Sequence, residues 1–209
     1  EATLRRRAGD VTGAVSVFTN RFAGYIFEQP TGTVAVEHKG GWELVDEHDP
    51  EAADHGGLPV FRTVQRDARF WGFEAEALWH LHEAPGSQFD VRFTADFVRA
   101  KEGGRSLPRL PEARAGVGLL WASAAWSFGV DYLHAFPQRQ VAAHEFNSDG
   151  YRLLGATASR VLKFGALEAE AFLRATNLAD REARPHTSFL KDLAPLPGRS
   201  VTAGVRFSF

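Results

Sequence analysis

The chain has 209 residues, 24 Lys and Arg against 26 Asp and Glu, a formal charge of −2, and 44% hydrophobic residues. It contains no run of eighteen apolar residues, which excludes a membrane helix but not a membrane barrel, whose strands turn only every second residue toward lipid. Absence of cysteine excludes a disulfide scaffold and thiolate metal sites, and the near-neutral balance gives no reason to expect nucleic acid as a partner.

Residues 2–7 predict a short strand, and the Gly9-Asp10 pair predicts a turn. Residues 11–27 form a long β-type run with Val11, Gly13, Val15 and Val17 in step. Residues 28–59 are polar, rich in Gly, Pro and charge, with no regular period beyond a short hairpin of 33–38 against 41–45. In 61–81, Phe73, Ala75, Ala77, Trp79 and Leu81 share one face while Glu74, Glu76 and His80 share the other. The Glu-Ala-Glu-Ala-Leu composition favours helix, yet a helix would mix the two characters on one side whereas a strand separates them. Residues 82–87 make a turn. In 88–101, Phe89, Val91, Phe93, Ala95 and Phe97 oppose Asp90, Arg92, Thr94 and Asp96.

After the connection 102–111, the runs 113–121 and 126–132 alternate around a tight turn at 122–125. Residues 137–150 are a polar loop, 151–162 alternate again, 163–165 turn, and 166–176 set Leu167, Ala169, Ala171, Leu173 and Ala175 against Glu168, Glu170, Arg174 and Thr176. The end of the chain sets Val201, Ala203, Val205, Phe207 and Phe209 against Thr202, Gly204, Arg206 and Ser208. The expected fold is all-β, about nine antiparallel strands with connections that alternate short and long. Transmembrane barrels have that alternation, with short periplasmic turns and long outer loops. Trp79, Trp121 and Trp126 fall beside the short turns, where an interfacial aromatic girdle belongs. A soluble sandwich would also alternate, but it has no reason to alternate loop lengths.

A terminal Phe preceded by apolar residues at two, four and six positions resembles the closing strand of bacterial outer-membrane barrels. Before it stand Asn177-Leu178, the segment from Arg181 through Pro185-His186-Thr187-Ser188, then Leu190-Lys191-Asp192 and Pro195, Pro197, Gly198 and Arg199. This pattern resembles the end of TonB-dependent outer-membrane receptors, especially the branch that includes zinc receptors. The resemblance implies that residues 1–209 are the C-terminal part of an antiparallel barrel of about 22 strands, with plug domain and earlier strands lying elsewhere in a longer protein. It also implies a bacterial outer-membrane location, contact with membrane lipid, energy coupling through TonB, ExbB and ExbD, recognition of Phe209 by the barrel assembly machinery, and receptor rather than enzyme activity. A start at Glu1, without Met or a leader-like segment, fits a piece or a processed chain.

Glu74, Glu76, Arg92, Asp96, Asp131, Glu168, Glu170, Arg174 and Arg206 suit a wet lumen lined by ion pairs. No Ser-His-Asp spacing or phosphate-binding glycine loop suggests catalysis. The 28–59 segment holds His38, His48 and His55 among Glu37, Glu43, Asp46, Glu47, Asp49, Glu51 and Asp54. Imidazole with carboxylate suits zinc, nickel or copper(II) and is acceptable for iron, although a solvated anionic loop would have the same composition. The candidate metal-capturing residues are His38, His48, Asp49, Asp54 and His55, joined by His144 and Glu145 from the 137–150 loop, with His186 on the same outer side. No cofactor is expected to reside permanently. Zinc is the first expectation for the transported ligand, a ferric siderophore the near alternative, and a small self-contained outer-membrane barrel, an adhesin or lipid-modifying enzyme, the alternative of another class.

Overall fold

The structure is a computed structural model that describes residues 1–165 and 167–208. The chain forms one antiparallel sheet whose principal path has nine strands. In order along it are β1 (Ala2–Arg6), β2 (Val11–His38), β4 (Leu58–Ala84), β5 (Ser87–Glu102), β7 (Arg114–Ser123), β8 (Trp126–Ala135), β9 (Tyr151–Phe164), β10 (Leu167–Thr176) and β11 (Ser200–Ser208). Two short strands are added at its outer end: β3 (Gly41–Asp46) pairs with β2, and β6 (Arg105–Ser106) with β5. Each strand on the path pairs with its predecessor on the path, as an up-and-down meander requires. Ala166 and Phe209, where the assembly signal is expected, lie outside the described residues.

The alternation in the sequence places every strand's register. Val15 pairs with Ala75, Val17 with Phe73, and Phe73 with Phe97, so their side chains share one face across β2, β4 and β5. On the opposite face Ser16 stands by Glu74, and Glu74 by Asp96. The apolar face remains open: Val17 is 52% exposed, Phe93 45% and Phe128 45%. Side chains of this size left uncovered across a whole sheet need lipid, since a water-soluble sheet would bury them under a second layer. On this face Trp121 and Trp126 each stack with Phe128 at 5.6 Å between ring centroids, beside the short β7–β8 turn.

The extent of the outer hairpin differs from the sequence expectation. Residues 28–38 continue β2 and residues 58–60 open β4, so the two strands pair far past the apolar band. Over most of this length the sequence carries no regular period, so periodicity is silent on it; only at the tip do Val34 and Val36 alternate, and both are buried there. Register shifts between Phe22 and Tyr25 and between Pro30 and Val34 bend this extension. Its tip carries a one-turn helix, α1 (Pro50–Asp54), capped by the Asp49 carboxylate, which accepts the Glu51 N–H at 2.9 Å. Proline at the first helical position and Asp before it are the ordinary start signal. A small apolar cluster of Ala68, Ala100, Leu107 and Leu110, packed by Tyr25, Phe27 and Phe70, fixes the root of the hairpin to the β5–β7 connection.

Candidate functional site

Two groups of polar side chains occupy the outer end. The first is at the hairpin tip. His38 closes β2 opposite Gly41, and its Nε2 lies 3.8 Å from Glu43 Oε2 on β3 and 3.8 Å from Glu51 Oε1 on α1. The His55 ring, just past α1, sits 5.5 Å from the His38 ring, centroid to centroid. The His38 Nε2 atom is buried and makes no hydrogen bond. Ligands about 2.0–2.1 Å from a tetrahedral ion stand about 3.4 Å apart, so the nitrogen–oxygen separations here are a few tenths of an ångström too long. Among the described residues no three His, Asp or Glu side chains already converge on one point as an ion requires. The tip thus assembles a loose two-imidazole, two-carboxylate group, held by a β-hairpin and one helical turn.

Of the residues singled out in the sequence, His38 and His55 come together. His48 does not join them: its side chain is 86% exposed and its Nε2 has Glu47 Oε1 at 3.9 Å. Asp49 is occupied as the helix cap, and Asp54 ends α1 exposed to solvent. Glu43 and Glu51, which stood undistinguished among the acidic residues of the segment, are the carboxylates that face His38. Sequence spacing could not select them, because the facing depends on the hairpin register Val36 to Glu43 and on the helical turn.

The second group joins the outer loops to each other. His144 reaches the hairpin, with Nε2 2.8 Å from Glu47 Oε2, and meets the edge of the Phe61 ring. Glu145 accepts the backbone N–H groups of Arg109 at 2.9 Å and Ala142 at 3.1 Å. His186, 1% exposed, faces the same carboxylate, with Nε2 3.2 Å from Glu145 Oε1. The Lys191 ammonium donates to His186 Nδ1 at 3.1 Å and to the Phe146 carbonyl at 2.7 Å. The Ser148 hydroxyl also meets Nδ1, at 2.9 Å. Below them Glu112 accepts from the His186 backbone N–H at 3.0 Å and from the Tyr151 hydroxyl at 2.8 Å. Burial raises the Glu145 pKa, but the contact with His186 and the two backbone donors outweigh it and hold the carboxyl below its ordinary value. Glu145 and His186 therefore tie three loops together; Glu145 is engaged by the two backbone donors and His186 Nδ1 by Ser148 and Lys191, while His186 Nε2, buried like His38 Nε2, makes no hydrogen bond.

A cavity of about 380 Å³ opens beside this second group, lined among others by Glu28, Phe61, Arg109, His144 and Phe189. Arg109 pairs with Glu28 and lies 3.8 Å over the centre of the Phe189 ring.

The inner wall carries the ion pairs its sequence pattern implies. Arg92 bonds Asp131 at 2.5 Å across the intervening strand β7, whose residue at that level is Gly118. Arg114 bonds Asp96 and Arg206 bonds Glu170 on adjacent strands. Near the short-turn end, Asp90 accepts from His80 Nδ1 at 2.9 Å, and His80 Nε2 meets the Thr12 hydroxyl at 3.1 Å.

The chain is similar over 99% of its length to a solved structure titled "Copper transporter OprC", with a TM-score of 0.70 and 19% sequence identity. It spans 30% of that protein, a likeness that shows the shared fold. Residues 1–178 match the family described as TonB dependent receptor-like, beta-barrel. With the match covering most of the chain, a lipid-ready outer face and a charged inner wall, this protein belongs to the TonB-dependent receptor β-barrel family.

Proposed function

We propose that residues 1–209 are the C-terminal wall of an outer-membrane receptor that takes up a divalent transition-metal ion, zinc first, on energy delivered through TonB, ExbB and ExbD. The plug and the remaining strands of a barrel of about 22 belong to the rest of the receptor. The observation that carries the ligand class is the hairpin tip, where His38, Glu43, Glu51 and His55 gather around a buried, unpartnered imidazole nitrogen. Zinc and copper(II) accept nitrogen and oxygen ligands, whereas copper(I) prefers thiolate and thioether. The segment has neither Cys nor Met, so its own donors suit the divalent ions. Copper(II) is the second ion to test, given the name of the structural neighbour.

A metal arriving inside a chelate is the other reading. It is favoured by the cavity where Arg109, Phe61 and Phe189 present cationic and aromatic surface, the equipment expected for an anionic siderophore. Uptake of radioactive zinc by cells bearing the full-length receptor tests the choice. The bare-ion reading expects TonB-dependent accumulation that His38→Ala/His55→Ala abolishes. Accumulation of a ferric siderophore, with zinc uptake equal to that of receptor-free cells, would replace it by the chelate reading.

A further inference from the structure

The lipid-facing side of β2, β4 and β5 ends in a row of cations. Arg21 on β2 pairs directly with Arg69 on β4, and Arg69 pairs directly with Lys101 on β5. Register runs without a break from Val17 through Arg21, from Phe73 back to Arg69, and from Phe97 to Lys101. All three cations are therefore on the face that carries Val17, Phe73 and Phe97. All three are exposed. One pleat nearer the membrane centre the same face holds Thr19, Trp71 and Arg99, again in register. Arg99 lies 4.5 Å over the Phe97 ring and donates to Gln140.

Like charges directly opposite on neighbouring strands repel, and three in line repel twice. Among the described residues no carboxylate pairs with Arg21, Arg69 or Lys101. The nearby Asp67 accepts the Gly24 N–H at 3.0 Å, and Glu102 faces Arg66 at 3.9 Å. The height of the row is informative. Trp71 and Trp79 stand eight residues apart on β4, which at about 3.3 Å per residue and a tilt near 40° spans about 20 Å along the membrane normal. That is close to the apolar band of an outer-membrane barrel, bounded by Trp at both rims. The cations stand one pleat beyond the outer rim, at the level of lipid phosphates.

We propose that Arg21, Arg69 and Lys101 form a binding site for the phosphate groups of an outer-leaflet lipid headgroup, in a bacterial outer membrane the phosphorylated glycolipid lipid A. The proposal rests on the membrane placement given above and is independent of which metal the receptor carries. Phosphate oxygens supply the anionic charge the row lacks, arginine meets them with paired N–H donors, and the acyl chains lie along Val17, Phe73 and Phe97 below.

The test uses the full-length receptor in detergent, with binding of bisphosphorylated lipid A and of its dephosphorylated form measured by native mass spectrometry. Three cations, each worth roughly a fivefold factor at an anionic surface, predict that Arg21→Gln/Arg69→Gln/Lys101→Gln weakens binding of the phosphorylated lipid on the order of a hundredfold. Arg160→Gln, at the opposite rim over Trp126, leaves binding unchanged, and unaltered β-sheet circular dichroism certifies each fold. Equal binding of the two lipids by the parent, or equal binding of the phosphorylated lipid by parent and triple variant, overturns the site. If the parent also fails to float with liposomes, the membrane placement falls with it. Flotation with phosphate-independent binding removes the lipid site alone.

Discussion

His38 and His48 show how little residue type says about role. Both are histidines in one acidic segment, but His38 sits between Glu43 and Glu51 with a buried nitrogen, whereas His48 projects into solvent. Substituting His48 by Ala is expected to leave metal affinity within about twofold, while His38→Ala costs at least tenfold by loss of one ligand, as metal titration of each variant would show. Glu145 gives a pH prediction. Its folded pKa is below the ordinary value of 4.5, so its stabilising contribution is present above that value and is lost as pH falls through the lower folded one. Hydrogen-exchange protection of the loops around Glu145, taken relative to the intrinsic exchange rate at each pH, should therefore persist at neutral pH and fall only in acid. In Glu145→Gln, which loses the charge facing His186 and Lys191, exchange should already be faster at pH 7. Equal exchange in parent and variant at pH 7 would show that the loops are held by other contacts.

At the scale of elements, strand identity was legible wherever one face meets lipid and the other water. The run Phe73 to Leu81 is the sharpest case, because local propensity favours helix and the period favours strand, and the structure has a strand there. Of the outer extension only the tip hairpin of 33–38 against 41–45 was legible, and it is there as Thr33–His38 on Gly41–Asp46; the pairing of Glu28, Gln29 and Pro30 with Thr63, Arg62 and Phe61 was not, since those residues carry no regular period. The short helix left readable signals in Asp49 and Pro50, but a single turn is too short for periodicity to register. The site was legible as a composition and not as a constellation. His38 and His55 were visible as possible ligands, while their partners Glu43 and Glu51 became distinguishable only once the hairpin was formed. The inner ion pairs are modest supports. Arg92 and Asp131 are 39% and 45% exposed, and such half-wet pairs contribute up to about 1 kcal/mol. Arg92→Ala should thus lower stability by no more than about 1 kcal/mol in denaturant titration of the detergent-solubilised receptor. A loss of several kcal/mol would mean that the pair does more than line a solvated wall.

For the whole molecule, the sheet has an uncovered apolar face and free edges at β1 and β11. Unpaired edge groups cost several kcal/mol each in lipid, so closure needs further strands, in keeping with a chain that spans 30% of its structural neighbour. Expressed by itself in water, the segment should aggregate, and detergent should be needed to keep it dispersed; a monodisperse monomer in plain buffer by light scattering would contradict the lipid-facing assignment. The architecture also separates three tasks by height: a short-turn end with its Trp row, an apolar band at bilayer depth, and an outer crown where loops are cross-linked and His144 ties one of them to the hairpin tip.

Zinc titration of the full-length receptor in detergent by calorimetry, parent against His38→Ala/His55→Ala, addresses metal capture at that tip most directly. A saturable zinc signal is expected in the parent and in His48→Ala, and its loss in the double variant. Zinc binding that is equal in parent and double variant, or absent from both, would contradict metal capture by the hairpin tip.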